Sequence, residues 1–97
     1  MTQIHEFQLP DSGPTKLALP RHAVILSVGH RGLTPTLWCS APVDPELRTK
    51  HRYFFCAQTG QCYDELDRAV RFLGTLPSTA VRPEVHIFEV QPPVPSS

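Results

Sequence analysis

Short apolar runs, interrupted by Pro and Gly at intervals of roughly ten residues, dominate the pattern of hydrophobic and polar positions. The runs are rich in β-branched and aromatic residues, which favours strands over helices. Strands are predicted over residues 2–9, 15–19, 22–30, 36–41, 51–57, 71–76 and 84–90. The pattern predicts a mainly β fold, a small antiparallel sandwich or partly open barrel of about six or seven short strands.

Two of these segments show a clear alternation. In 22–30, apolar side chains such as Val24 and Ile25 fall on both alternating faces, which predicts a core strand that is covered on both sides. We also expect Val24 and Leu26 to share one face. In 36–41, a period of two places Leu37 and Trp38 on opposite faces of a strand.

One segment, 63–70, predicts a short helix of one or two turns, with Asp64 as its N-cap. Gly60 within "QTGQ" predicts a turn before that helix. The length of 97 residues corresponds to one domain, which we assign to residues 1–91. The Pro- and Ser-rich residues 92–97 are predicted to be a disordered tail.

Charge and hydropathy narrow the classes of partner. Nine basic and nine acidic side chains cancel, so the net charge favours neither nucleic acid nor an anionic membrane surface as a partner. No run reaches the roughly 20 apolar residues of a membrane span, and "MTQIHEF" does not resemble a signal peptide. Three cysteines, an odd number, argue against a disulfide framework. We expect a cytoplasmic protein with reduced thiols.

The stretch "HRYFFCAQTGQC" (51–62) carries the side chains best suited to metal or redox chemistry. Cys56 and Cys62 lack the close spacing of a zinc knuckle, so His51 or His86 and the distant Cys39 would have to complete a site. Burial as small hydrophobic side chains explains the cysteines more simply. A small enzyme that uses Cys62 with a histidine remains an alternative. We predict no catalytic, cofactor-binding or metal-binding residue.

Several stretches, in linear order, resemble a small, functionally uncharacterised domain family of bacteriophage and prophage genomes. The matching stretches are "LALPRHAVILSV" (17–28), "PTLWCSAPVDPE" (35–46), "RYFFCAQTG" (52–60), "RFLGT" (71–75) and "VHIFEV" (85–90). The family pattern reads LP-x-GA-x-IL-x-V, P-x-LW followed by VDPE, an aromatic strand ending in GTG, F-x-GT and HVFE. His22 stands where the family prefers Gly, and Gln58 replaces the first Gly of the turn. The resemblance implies a phage-encoded accessory protein and no known activity or ligand.

These observations favour a non-enzymatic binding protein. We expect it to act in the host bacterial cytoplasm, where it inhibits or modulates a host protein complex, with a CRISPR-Cas or other anti-phage defence effector as the first candidate. The alternative is a minor virion or assembly protein that associates with a second copy, for example as a homodimer, through an uncovered strand edge. The residues predicted to contact a partner are charged and flank turns: Arg31, Arg48, Lys50, Arg52, Asp64, Glu65 and Asp67.

Overall fold

A computed structural model describes residues 1–46 and 48–93 of the chain. Its strands are β1 (Thr2–Gln8), β2 (Gly13–Pro20), β3 (Val24–Arg31), β4 (Thr34–Pro42), β5 (Thr49–Gln58), β6 (Ala69–Leu76) and β7 (Val85–Val90), with one 3₁₀ helix (Asp64–Arg68) between β5 and β6. The mainly β prediction is confirmed. The predicted disordered tail falls partly on residues 94–97, which lie outside the described residues.

The strands form two antiparallel sheets. One has three strands in the order β1-β4-β3, and the other has four in the order β2-β5-β7-β6. Both sheets are open and do not close into a barrel, so the structure agrees with the predicted antiparallel sandwich. Within the described residues, no helix is long and apolar enough to cross a membrane.

A shared core holds the two sheets together. The three-stranded sheet contributes Ile25, Leu37 and Cys39, and the four-stranded sheet contributes larger side chains such as Phe54 and Ile87. Because residues on one face of a strand recur every second position, Phe54 points into this core while the next residue, Phe55, points to the opposite face. The adjacent aromatic residues of β5 therefore serve two different clusters.

Strand β3 differs from its prediction. Val24 and Leu26 are 55% and 50% exposed, whereas Ile25 is buried, so the strand is covered on one side only. The three-stranded sheet packs its inner face on the core, and nothing among the described residues covers its outer face at Val24. A bulge between Ile25 and Ser27 also shifts the alternation, so that Val24 and Val28 pair with residues on opposite faces of β4.

The predicted short helix forms within residues 63–70, but its N-terminus differs from the prediction. It is a 3₁₀ helix over Asp64–Arg68, and the segment after it enters β6 at Ala69. Tyr63, not Asp64, occupies the N-cap, and its side chain makes no capping hydrogen bond. The prediction of Asp64 as N-cap is therefore wrong. Tyr63 instead packs edge-on against Phe55, with ring centroids 4.9 Å apart, so contact with the sheet positions the helix start.

Edge strand β2 of the four-stranded sheet and edge strand β1 of the three-stranded sheet differ in how readily a further strand could pair with them. In β2, the hydrogen bond from Arg21 N to Arg48 O continues the pairing with β5, so alternation directs the even-numbered positions to the free edge. Pro14 and Pro20 occupy two of these positions and offer no N–H there. Strand β2 is thus poorly suited to pairing with a further strand.

Strand β1 lacks this protection. Val43 N donates to Met1 O and Leu9 N donates to Pro35 O, both at 2.9 Å, so the odd-numbered residues of β1 face β4. Thr2, Ile4, Glu6 and Gln8 then direct N–H and C=O groups to the free edge. No proline or lysine interrupts β1. Among residues 1–46 and 48–93, no strand pairs with this edge, so it is available for strand pairing.

Candidate binding surface

The outer face of the three-stranded sheet is built by the alternation in β4. Leu37, Cys39 and Ala41 point inward and are buried. Trp38 and Ser40 therefore point outward, on the face opposite Leu37 as the alternation predicted. In the cross-strand register, Trp38 lies between Glu6 of β1 and Ser27 of β3. The tryptophan thus sits near the centre of an open sheet face.

Trp38 is held in a fixed orientation. Its ring lies over Gly29 of β3, where a Cβ atom would be only 3.2 Å from Trp38 Cζ3. Trp38 Nε1 donates to Glu6 Oε1 at 3.1 Å, and Arg31 Nη1 donates to the same oxygen at 3.0 Å. Glu6 thereby links the indole and the guanidinium. A glycine beneath the ring and a carboxylate beside it preorganise the exposed part of the tryptophan.

Exposed apolar side chains surround this cluster. Ile4 and Val24 both pair with Ser40, one from each neighbouring strand, and are 64% and 55% exposed. We call the set Ile4, Glu6, Val24, Arg31 and Trp38 the Trp38 surface. It combines a large aromatic residue, an arginine and aliphatic side chains on a rigid sheet, a composition typical of the energetic centres of protein interfaces.

Comparison with known proteins places the chain in a family. The model of a domain of unknown function, DUF7352, matches residues 1–97. The chain belongs to the DUF7352 family. No curated protein and no solved structure matches it. The prediction of a small, functionally uncharacterised domain family is confirmed, whereas the phage origin of this DUF7352 domain stays a prediction.

The DUF7352 structure distributes the predicted contact residues over separate places. Arg31 belongs to the Trp38 surface. Arg48 and Lys50 are exposed near the start of β5, and Asp64 and Asp67 are exposed on the 3₁₀ helix. Glu65 is half-buried and lines a cavity on the four-stranded sheet. The seven residues do not form one site.

Arg52, one of the seven, lies between the sheets rather than at the surface expected for it. Its side chain is 19% exposed, and that of its partner Glu89 is 17% exposed. Arg52 Nε and Nη2 donate to Glu89 Oε2 and Oε1 at 2.7 and 2.6 Å, and Nη1 donates to Ala23 O at 2.8 Å. The Glu89 hydrogen bond raises the pKa of Arg52 most, so the guanidinium stays charged. Arg52 joins β5, β7 and the start of β3.

The residues of the Trp38 surface other than Arg31 were not predicted as site residues. Trp38 had a partial signal, because alternation placed it on the face opposite Leu37, although the sequence did not indicate which of the two faces is buried. Val24 was assigned to a fully covered strand, and Glu6 is separated from Trp38 by 32 positions. Only the pairing of β1 with β4 brings Glu6 and Trp38 together.

The thiols of this DUF7352 domain fall into two classes. Cys39 and Cys56 are buried, and Cys62 is exposed. Burial raises the pKa of Cys39, and burial raises the pKa of Cys56 to about 12, with a smaller contribution from Asp11. Both buried thiols are therefore protonated and unreactive at neutral pH. These two cysteines pack in the core, as the sequence indicated.

His86, one of the histidines considered for a site with the cysteines, has polar neighbours but no thiol among its hydrogen-bond partners in the described residues. His86 Nε2 lies 2.7 Å from Thr59 Oγ1 and 3.3 Å from Glu84 Oε1, and its Nδ1 lies 2.9 Å from Thr75 Oγ1. Cys62 takes no part in this network. Within residues 1–46 and 48–93, no three His, Cys, Asp or Glu side chains are placed to hold a metal ion.

Proposed function

We propose that the protein is a non-enzymatic binding module that contacts a partner protein through the Trp38 surface. One observation carries this proposal: Trp38, oriented by Gly29 and Glu6, lies among the exposed side chains of Ile4 and Val24. Exposed apolar patches on a rigid element are typical of protein contact sites. Because the indole is already oriented, binding loses little side-chain entropy.

The proposed partner is a host bacterial protein complex, and the protein itself is proposed to be phage-encoded and to act in the bacterial cytoplasm. The resemblance of its sequence pattern to a domain of phage and prophage genomes supports the origin. The balanced charge supports a protein rather than a nucleic acid as the direct contact. An anti-phage defence effector, such as a CRISPR-Cas complex, is the first candidate for inhibition.

The test is recovery of a partner from host lysate with a matched set of variants. The tagged wild-type protein should retain one host complex at constant stoichiometry. Trp38→Ala should weaken binding of the purified complex by about 30-fold or more, since a central tryptophan contributes about 2 kcal/mol or more.

Val24→Ser and Val70→Ser provide the control pair, because Val24 belongs to the Trp38 surface while Val70, 61% exposed, lies on β6 of the other sheet. Val24→Ser should weaken binding and Val70→Ser should not. Equal retention of the complex by wild type and Trp38→Ala would remove the Trp38 surface from the proposal.

The unprotected edge of β1 favours a second candidate, a minor virion or assembly protein that associates with itself. Two β1 strands related by a twofold axis can pair antiparallel, and a register centred on Ile4 sets Thr2 opposite Glu6 of the second copy. The outward N–H and C=O groups of β1 supply the hydrogen bonds. Under this candidate the purified protein forms a defined dimer and recovers only itself.

Two variants at one position test the edge. Ile4→Pro removes an N–H that points away from β4, whereas Ile4→Thr removes the large side chain and keeps the N–H. A β1-paired dimer should become monomeric in Ile4→Pro and persist in Ile4→Thr when molar mass is measured by light scattering. A monomeric wild-type protein at all concentrations would contradict self-association through β1.

A further inference from the structure

A cavity of about 290 Å³ lies on the outer face of the four-stranded sheet, on the opposite side of the molecule's core from the Trp38 surface. Tyr53, Phe55 and Val90 belong to its lining and come from the two central strands, β5 and β7. Pro14 to Lys16 of the edge strand β2 form one wall. The opposite wall consists of Glu65 and Arg68 of the 3₁₀ helix and residues 91 and 93.

Packing and hydrogen bonds fix the helix side of this cavity. Gln58 N donates to Tyr63 Oη at 3.2 Å, which ties the residue before the helix to β5. Gln91 N donates to Arg68 O at 2.9 Å and joins the segment after β7 to the end of the helix. Leu66 packs against the cluster formed by Phe55 and its neighbours. The cavity therefore exists before any ligand arrives.

Charge at the rim indicates what the cavity accepts. Lys16 and Arg68 stand on opposite walls, and Glu65 is the one acidic residue of the lining. Arg31, Arg52 and Arg82 each pair with a carboxylate. No such ion pair is formed by Lys16, Arg68 or Glu65 within the part of the chain that the structure describes, although Arg68 is half-buried. An aromatic floor with an excess of one positive charge suits an apolar group that carries an anion.

The neighbouring edge argues against an extended peptide as the occupant. A peptide strand beside β2 would meet Pro14 and Pro20 at positions that face it, and only Lys16 and Ala18 would offer N–H groups between them. We propose that this cavity binds a small apolar monocarboxylate, with its ring or branched chain on Tyr53 and Phe55 and its carboxylate between Lys16 and Arg68.

The test compares an acid with its neutral amide on the ¹⁵N-labelled full-length chain. In a titration followed by NMR, 3-phenylpropionate should give saturable shifts at the backbone amides of Lys16, Tyr53 and Arg68, with a Kd of about 10⁻⁴–10⁻³ M. The isosteric 3-phenylpropionamide should bind about tenfold more weakly, because it lacks the charge. Acetate, which lacks the apolar group, should not saturate.

Substitutions of the two basic lining residues test whether their charges contribute to binding of the acid. Lys16→Gln and Arg68→Gln should each weaken binding of the acid about two- to fivefold and leave the amide unchanged. Lys50→Gln is the matched control, because Lys50 is an exposed lysine outside this cavity. Trp38→Ala tests whether binding of the acid is independent of the Trp38 surface. Both variants should bind the acid as the wild type does. Equal affinity for acid and amide, or no saturable shift at the lining amides, would overturn the proposal without affecting the Trp38 surface.

Discussion

Removal of the Arg52 guanidinium should destabilise the fold strongly. Arg52 donates three hydrogen bonds of 2.6–2.8 Å, two to Glu89 and one to Ala23 O. Loss of one partner of a fully buried ion pair costs about 3–5 kcal/mol, because a charge remains without compensation. Glu89 retains 17% of its side-chain exposure, which lets water reach it. We therefore expect Arg52→Met to lower the free energy of unfolding by about 2–4 kcal/mol.

Urea denaturation measures this loss. The chain contains one tryptophan, Trp38, whose fluorescence reports on the three-stranded sheet, while circular dichroism reports on both sheets. With an m value of about 1–1.5 kcal/mol/M, the urea midpoint should fall by about 1.3–4 M. Arg48→Met is the control, since Arg48 is an exposed arginine, and it should change the unfolding free energy by less than about 0.5 kcal/mol.

A double variant separates the ion pair from simple loss of packing. Arg52→Met combined with Glu89→Leu leaves no isolated charge between the sheets, so it should be more stable than Arg52→Met alone. If Arg52→Met loses as little stability as Arg48→Met, the ion pair does not join the sheets. If the double variant loses the sum of the two single losses, the residues are not coupled and the reasoning fails.

Other predictions concern the core, the thiols and one turn. Gly74→Ala places a Cβ atom 2.6 Å from Val28 Cγ2 and should cost about 1–3 kcal/mol in urea denaturation, with partial recovery in Gly74→Ala/Val28→Ala. The raised pKa of Cys56, about 12, keeps its thiol protonated in the folded state, whereas the unfolded thiol ionises near its ordinary value of 9.0. The contribution of Cys56 to stability is thus fully present below about pH 9 and should be lost above it, by about 1.4 kcal/mol per pH unit. Cys56→Ala should make this fall with pH shallower without removing it, because the pKa of Cys39 is also raised by burial, whereas replacement of the exposed Cys62 by Ala should leave the fall unchanged. His22 has a φ of 65°, in the left-handed region that a glycine adopts without strain. His22→Gly should therefore raise the thermal midpoint and increase the free energy of unfolding by about 1 kcal/mol or less. A lower midpoint would contradict strain at His22.

Local alternation predicted the strands well because a period of two belongs to each strand alone. The predicted segment 36–41 lies within β4, and 84–90 differs from β7 by one residue at its start. Trp38 and Leu37 lie on opposite faces, as predicted, because no bulge interrupts β4 in its pairing with β1. The fold class could therefore be read from the sequence.

The failures concern properties that depend on distant parts of the chain. Alternation in 22–30 could not reveal that β3 belongs to a sheet with one uncovered face, nor that a bulge follows Ile25. Arg52 was assigned to the surface because its partner Glu89 is 37 positions away. The Trp38 surface likewise requires strand pairings that no local pattern encodes, which explains why only Arg31 was selected in advance.

The order of strands in the sheets also sets how the chain must fold. β3 and β4 are joined by Gly32 and Leu33 and can pair within microseconds, as short hairpins do. β1 and β2 instead pair with β4 and β5, which are synthesised much later in the chain. Such non-local topology slows folding to about milliseconds to seconds. During synthesis, β1 and β2 therefore stay unpaired until β4 and β5 have left the ribosome. Because no proline or lysine interrupts β1, we expect chaperones to protect this segment in particular.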